Sequence, residues 1–477
     1  MKKIRIFKIS GLFIVLLMGL LICCNPDEET VSLVISPSSV TFGIEGGTRE
    51  VFVKSNSGWT ISAMADWCKV STSSGDGNGS FTLIAVEQTE DNNRSFNLII
   101  KAGDTIREVE IKQTGLNDTS DLYDVPPDNT DMRDLTSIEL SAEMGLGWNI
   151  GNSLEATNGE TSWGNPLITQ QLIDSVKAAG FNSIRIPVAW SKFSNKEYFI
   201  IETSWLERVE EVVKYVLKND MYAVMNIHWD GGWMQPTYAD QDYVNNRLDI
   251  MWEQIAIHFR DYNDRLLFAG TNEVMVDGDY GTPTKEYYTV QNSFNQTFVS
   301  AVRATGGRNV YRHLVVQGFN TNINHTINYA VIPEDVVKDR LFMEVHYYDP
   351  YNFTLNEKSN VTQWGEDAED PSKTDDWGNE SYADGQFQKM KTKFIDKGIA
   401  VIVGEYGAIY RNDKDGHEAY RVTYNEYITQ SIVNHGLIPF YWDNGYTGLN
   451  GFGLFNRSTG EQAFPELIRA ITKAESN

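Results

Sequence analysis

Cysteine is scarce. There are three in 477 residues, and two of them, Cys23 and Cys24, sit together where an apolar stretch ends. A chain processed at that point keeps Cys68 beside one modified residue, so no intramolecular disulfide framework can form. Cys68 follows Trp67, has no His motif near it, and reads as a small buried hydrophobe rather than a nucleophile. Positive charge is also in deficit: 40 Lys and Arg stand against 65 Asp and Glu, a net charge of -25 with no basic stripe. Such a surface repels a phosphate backbone, which excludes nucleic acid as a partner. The apolar run from Gly11 to Cys24 falls short of the ~20 residues a membrane span needs. With Lys2, Lys3, Arg5 and Lys8 ahead of it, residues 1–24 read as an export signal.

Several signatures are missing too. Without His-x-His or His-Glu-x-x-His there is no metal centre to expect. No Gly-x-Gly-x-x-Gly follows the first strand of the larger domain, which argues against a dinucleotide fold, and no cofactor is called for. Aromatic residues, by contrast, are plentiful, at 12% with 12 Trp.

The length exceeds what one core holds, so at least two domains are expected. Residues 31–116 alternate apolar and polar residues in short runs such as "REVFVKS", "SFNLIIKA" and "REVEIKQ". Turn clusters like "SSGDGNGS" separate them, which predicts a small all-β, immunoglobulin-like sandwich. Residues 117–136 are polar and acidic, contain Pro126-Pro127, and read as a linker. Over 137–477 eight apolar runs, from "MGLGWNIG" and "SIRIPV" to "IAVIVGEYG" and "LIPFYWD", alternate with amphipathic stretches. That order predicts a (β/α)8 TIM barrel.

Active sites of this fold lie at the C-terminal ends of the strands. Here those ends carry Arg185, His228, Asn272, Glu273, His346, Tyr348, Glu405 and Trp442. One strand-end glutamate could be a buried partner for a cation. Two, on strands four and seven and flanked by Asn, His, Tyr and Arg, suit acetal cleavage: one carboxyl protonates the leaving oxygen while the other, ionised, attacks or stabilises the sugar cation. Their environments must then differ. Arg185 would hold one carboxylate charged, burial and the neighbouring charge would raise the other, and the Tyr348 hydroxyl could aim the ionised one. Trp442 offers a flat apolar face for a pyranose ring.

The blocks "SIRIPV", "NIHW", "FAGTNE", "MEVHYYDP", "VIVGEYG" and "FYWDNG" resemble, in order, the signature blocks of glycoside hydrolase family 5. "EMGLGWNIGNSLEA" is most similar to its subfamily 4 of endo-acting β-glucanases and xyloglucanases. The resemblance implies a retaining mechanism with Glu273 as acid/base, Glu405 as nucleophile and Asn272 on the sugar 2-hydroxyl. Arg185, His228, His346, Tyr348 and Trp442 match its remaining site positions. Where many members have a second His, this chain has Trp229. Trp229 and Trp233 are candidate sugar platforms, as are Trp163, Trp364 and Trp377, although the last two serve equally well as loop plugs. "SNSGWTI", "ADWCKVSTSSGDGNGS" and "REVEIKQTG" resemble the BACON domain, whose role is either carbohydrate binding or spacing. Trp59 and Trp67 there read as core. "LICC" followed by "NPDEE" is similar to a Bacteroidetes-type lipoprotein signal, implying lipidation of Cys24 (or Cys23) and a surface-exposed anchor in the outer membrane. The expected protein is a monomer whose partner is a β-glucan, most of all xyloglucan. Cellulose, mixed-linkage glucan and mannan are the alternatives within the family, and a surface glycan-binding protein is the non-enzyme rival.

Overall fold

The computed structural model describes residues 31–43, 46–90, 93–115, 125–196 and 198–476. The export signal with Cys23 and Cys24, and linker residues 117–124, lie outside the described residues. The chain divides into two compact units, Met1–Asp118 and Thr119–Asn477.

The first unit is a sandwich of nine strands: β1 (Leu33–Ser36), β2 (Ser39–Phe42), β3 (Gly47–Ser55), β4 (Gly58–Ser62), β5 (Cys68–Val70), β6 (Ser74–Asp76), β7 (Gly79–Ala85), β8 (Arg94–Ala102) and β9 (Thr105–Gln113). One sheet has the order β1-β3-β7-β5 and the other β2-β9-β8-β4-β6. The period-two pattern does what it predicts: along β9, Val109 and Ile111 are buried while Glu108 and Glu110 face water. Trp59 is buried and donates its indole N–H to the Gly77 carbonyl at 3.0 Å. Trp67 is packed between the Arg94 guanidinium at 4.7 Å and the edge of Phe96. Both rings are thus committed to packing. Cys68 is buried, and burial pushes its thiol up to about 11.

The second unit closes eight strands into a barrel: β10 (Gly147–Asn149), β11 (Ser183–Ile186), β12 (Tyr222–Asn226), β13 (Leu266–Ala269), β14 (Leu314–Gln317), β15 (Leu341–Tyr347), β16 (Ala400–Tyr406) and β17 (Ile438–Tyr441). Every neighbouring pair is parallel, and β17 returns to β10. Every residue of these strands is buried, because inner residues fill the barrel and outer ones meet the helices. The lower barrel is filled by Tyr222, Leu267, Val315, Phe342, Ile402 and Phe440. Leu140 and Met144 join that cluster from the helix Ser137–Met144. The sequence pattern did not predict this helix. It begins in a reciprocal cap between Thr136 and Glu139, and the Ser137 N–H is anchored at 2.6 Å to the Asp339 carbonyl. Among the described residues no helix is long and apolar enough to cross a membrane.

Candidate active site

Strand alternation places the polar groups at the barrel mouth. On β15 and just past it, Glu344, His346 and Tyr348 are spaced by two and turn inward, whereas Tyr347 packs outward on Phe387. The pairing of β15 with β16 slips one residue after Val345, which sets His346 opposite Glu405. Glu273 follows β13 and sits in the left-handed region at φ 47, its backbone N–H donating to Gln317 at 3.2 Å. A left-handed glutamate costs on the order of 1–3 kcal/mol, and such strain collects at functional sites.

Arg185, fully buried on β11, organises the centre. Its Nη1 donates to Glu405 Oε1 at 3.0 Å and to Asn149 Oδ1 at 3.0 Å. Its Nε lies 2.9 Å from Glu344 Oε1, and Nη2 donates to Asn272 Oδ1. The Tyr348 hydroxyl donates to the other Glu405 oxygen at 3.1 Å. Nδ1 of His346 is 2.7 Å from Glu273 and 3.6 Å from Glu405, and its Nε2 is 3.3 Å from Glu344. His228 stacks parallel to Trp442 with ring centres 5.9 Å apart, and its Nδ1 faces the Asn226 amide at 3.2 Å. Gly151 leaves room for the Trp442 ring, since a Cβ there would come within 2.7 Å of it.

One oxygen each of Glu273 and Glu405 and one nitrogen of His346 lie within 4.8 Å of one another. Carboxyl groups ~5 to 5.5 Å apart suit a nucleophile and an acid/base, whereas an inverting pair needs ~6.5 to 9.5 Å to admit a water. A metal ion fits this trio poorly, because the surrounding carboxylates favour a protonated His346 ring, which has no lone pair to offer.

The protonation pattern differs from the sequence expectation. Burial works against charge on His346, but Glu405, then the hydrogen bonds of Glu273 and Glu344, outweigh it and lift the ring to about 9. The imidazole is therefore a cation at neutral pH. Desolvation in the cleft works against charge on Glu273, but its hydrogen bond from His346 and the charges of His346 and Arg185 hold this carboxyl below the usual range. Burial pushes Glu405 up; His346 and Arg185 pull it back, while Glu273 and Glu344 add to the rise. One carboxyl is thus held down and the other raised, as expected, but the raised one is Glu405, the carboxyl Arg185 contacts. In the free site the proton near Glu273 sits on the neighbouring ring. His228 is held well below its ordinary value by burial, Arg185 and His346, and stays neutral.

A cleft of about 690 Å³ opens over this centre, lined by His228, Glu273, His346, Tyr348, Glu405 and Trp442 among others. Trp229 and Trp233 do not line it. Trp229 is 54% exposed; Trp233 is half-buried, donates to Asp230 at 2.8 Å and lies under Arg247 at 4.3 Å. Trp163 and Trp377 are exposed, while Trp364 is buried against Tyr424 and plugs its loop. Sequence reasoning missed Glu344, Asn149 and Gln317. The signal for Glu344 was available: an acid two residues before His346 inside an apolar strand must share its inward face.

Residues 149–448 match the family model described as cellulase (glycosyl hydrolase family 5), and residues 32–116 match the one described as a viral BACON domain. A xyloglucan-specific endo-β-1,4-glucanase of Bacteroides ovatus is 38% identical over 98% of this chain and 96% of its own. Endoglucanase A of Paenibacillus barcinonensis is 42% identical over 72% of this chain and 90% of its own. Among solved structures, a Bacteroides ovatus family 5 xyloglucanase bound to a XXXG heptasaccharide superposes with a TM-score of 0.71 at 38% identity, over 94% of this chain and 100% of that one. A barrel with two glutamates across its mouth, and likeness of this extent, lead to one conclusion: the chain belongs to glycosyl hydrolase family 5.

Proposed function

We propose that this glycoside hydrolase is an endo-β-1,4-glucanase that cuts xyloglucan by double displacement, with Glu405 as nucleophile and Glu273 as acid/base. The approach of their oxygens to within 4.8 Å carries the mechanism. Likeness over nearly the whole chain to xyloglucan-cleaving relatives supports the substrate.

Trp442 receives the apolar face of the sugar whose bond is cut, and Asn272 binds its 2-hydroxyl. Glu405, aimed by Arg185 and Tyr348, attacks the anomeric carbon. The glycosidic C–O bond breaks and its oxygen takes a proton from Glu273. That proton is stored on His346 in the free site and passes along the 2.7 Å contact when the substrate covers the 44% exposed Glu273 side chain and removes its water. Glu273 then takes a proton from a water that attacks the anomeric carbon and frees Glu405, so the anomeric configuration is kept. As product leaves, Glu273 returns that proton to His346 and the free site is restored.

In the same proposal Cys24 (or Cys23) carries a lipid that holds the monomer on the outer face of the outer membrane. The sandwich and the linker space the barrel from it, and "LICC" with the acidic "NPDEE" supports this. Digestion of purified xyloglucan, mixed-linkage glucan, cellulose and mannan tests the function. The proposal expects mid-chain cleavage and fastest release of reducing ends from xyloglucan. Binding without release of reducing ends from any of the four would overturn it.

A further inference from the structure

We infer that Glu344, a carboxylate that touches no substrate, is a positioning residue that keeps His346 protonated and thereby sets the alkaline limit of the reaction. The inference rests on the hydrolase reading above.

Glu344 is wholly buried in the barrel, an expensive place for an acid unless it is paired. It is paired twice. Its Oε1 lies 2.9 Å from Arg185 Nε and 3.3 Å from His346 Nε2. Arg185 reaches on to Glu405, and His346 reaches on to Glu273, so one buried acid is linked through two cations to both reacting carboxyls. The backbone has been fitted to it: a Cβ on Gly404, the residue before the nucleophile, would stand 1.9 Å from Glu344 Oε1. Only a bare α-carbon at 404 leaves room for this side chain.

The groups facing His346 are Glu273 after β13, Glu344 on its own strand, Glu405 on β16 and His228 after β12, with Arg185 on β11 behind Glu344 and Glu405. Glu273 and Glu405 change charge during the cycle. Glu344 does not: burial opposes its ionisation, but Arg185 and then His346 hold it below the usual carboxylate range. It is the one carboxylate of the three that stays charged throughout, so it favours the protonated ring in the free site, before the proton passes to Glu273. Neutralising it removes an attraction of the kind that moves a titration by roughly 1–3 pH units.

The test uses the full chain with Glu344→Gln, which keeps the shape and an acceptor but not the charge, and Glu344→Asp, which keeps the charge. Initial rates on xyloglucan across pH 5 to 10 are read beside the His346 imidazole ¹⁵N titration, with circular dichroism as a check on folding. In Glu344→Gln the alkaline limb and the ring titration should both move down by roughly one unit or more, so that the rate at pH 9 relative to pH 7 drops about five- to tenfold further than in the wild type. In Glu344→Asp the limb should stay within a few tenths of a unit of the wild type, even where kcat falls. If Glu344→Gln does not fold, the ring titration in Glu344→Asp decides: a fall of a full unit overturns the inference, and a value near the wild type supports it. A Glu344→Gln profile lowered equally at all pH values also overturns it and leaves the hydrolase reading intact. A wild type that releases no reducing ends defeats the hydrolase reading itself.

Discussion

The ring Nδ1 of His346 stands 2.7 Å from the Glu273 carboxylate, which in the proposed mechanism puts the proton for the leaving oxygen one hydrogen bond away from its donor. The ring titrates at about 9. Activity should therefore hold through neutral pH and fall as pH rises through about 9. His346→Asn should lower kcat by about 10²-fold or more at pH 7 and abolish that limb, as expected for loss of a positioned proton source. A pH–rate profile of the two proteins checks both points.

The same raised titration has a consequence for stability. A histidine that gains proton affinity on folding stabilises the protein fully below its unfolded value near 6.5, and the contribution is lost as pH rises through about 9. The melting temperature of the barrel should fall between pH 6.5 and 9, and fall less steeply in His346→Asn. Calorimetry at three pH values reads the difference.

Glu273→Ala should reveal the acid by its dependence on the leaving group. Polysaccharide hydrolysis should drop about 10³-fold, within the usual span of a general acid. An aryl glycoside that leaves as a stable phenolate should lose far less in its first step, because it needs no proton. Burst kinetics on the aryl substrate separate the two.

Trp229 and Trp233, separated by Asp230 and two glycines, should behave oppositely. Trp229 is 54% exposed, so Trp229→Ala should leave the melting temperature unchanged, and KM on polysaccharide should rise only for chains long enough to run past the cleft onto its ring. Trp233, bonded to Asp230 and capped by Arg247, should cost roughly 1–3 kcal/mol of stability when truncated. Thermal scans beside steady-state kinetics distinguish platform from packing.

The barrel was legible because its strands, buried on both faces, print as eight unbroken apolar runs, and the polar residues interrupting those runs mark its mouth. Other features were harder to read. The helix Ser137–Met144 buries only Ser137, Leu140 and Met144, too few to impose a periodic stripe, although Thr136 and Glu139 spell its cap. The inward face of Glu344 could be read from its place two residues before His346, but its partner could not, because Arg185 meets it only once the barrel closes. The location of the proton could not be read from sequence at all. It depends on a one-residue slip between β15 and β16 that brings His346 level with Glu405.

The most direct measurement is the mass of the protein after reaction with an activated 2-deoxy-2-fluoro-glucan oligosaccharide, whose fluorine slows breakdown of any glycosyl ester. A mass increase of one fluoro-oligosaccharyl group, the reagent less its leaving group, mapped by peptide sequencing to Glu405 and absent from Glu405→Ala, is the expected result. No covalent adduct, or an adduct on Glu273, would contradict the assignment of nucleophile and acid on which the rest depends.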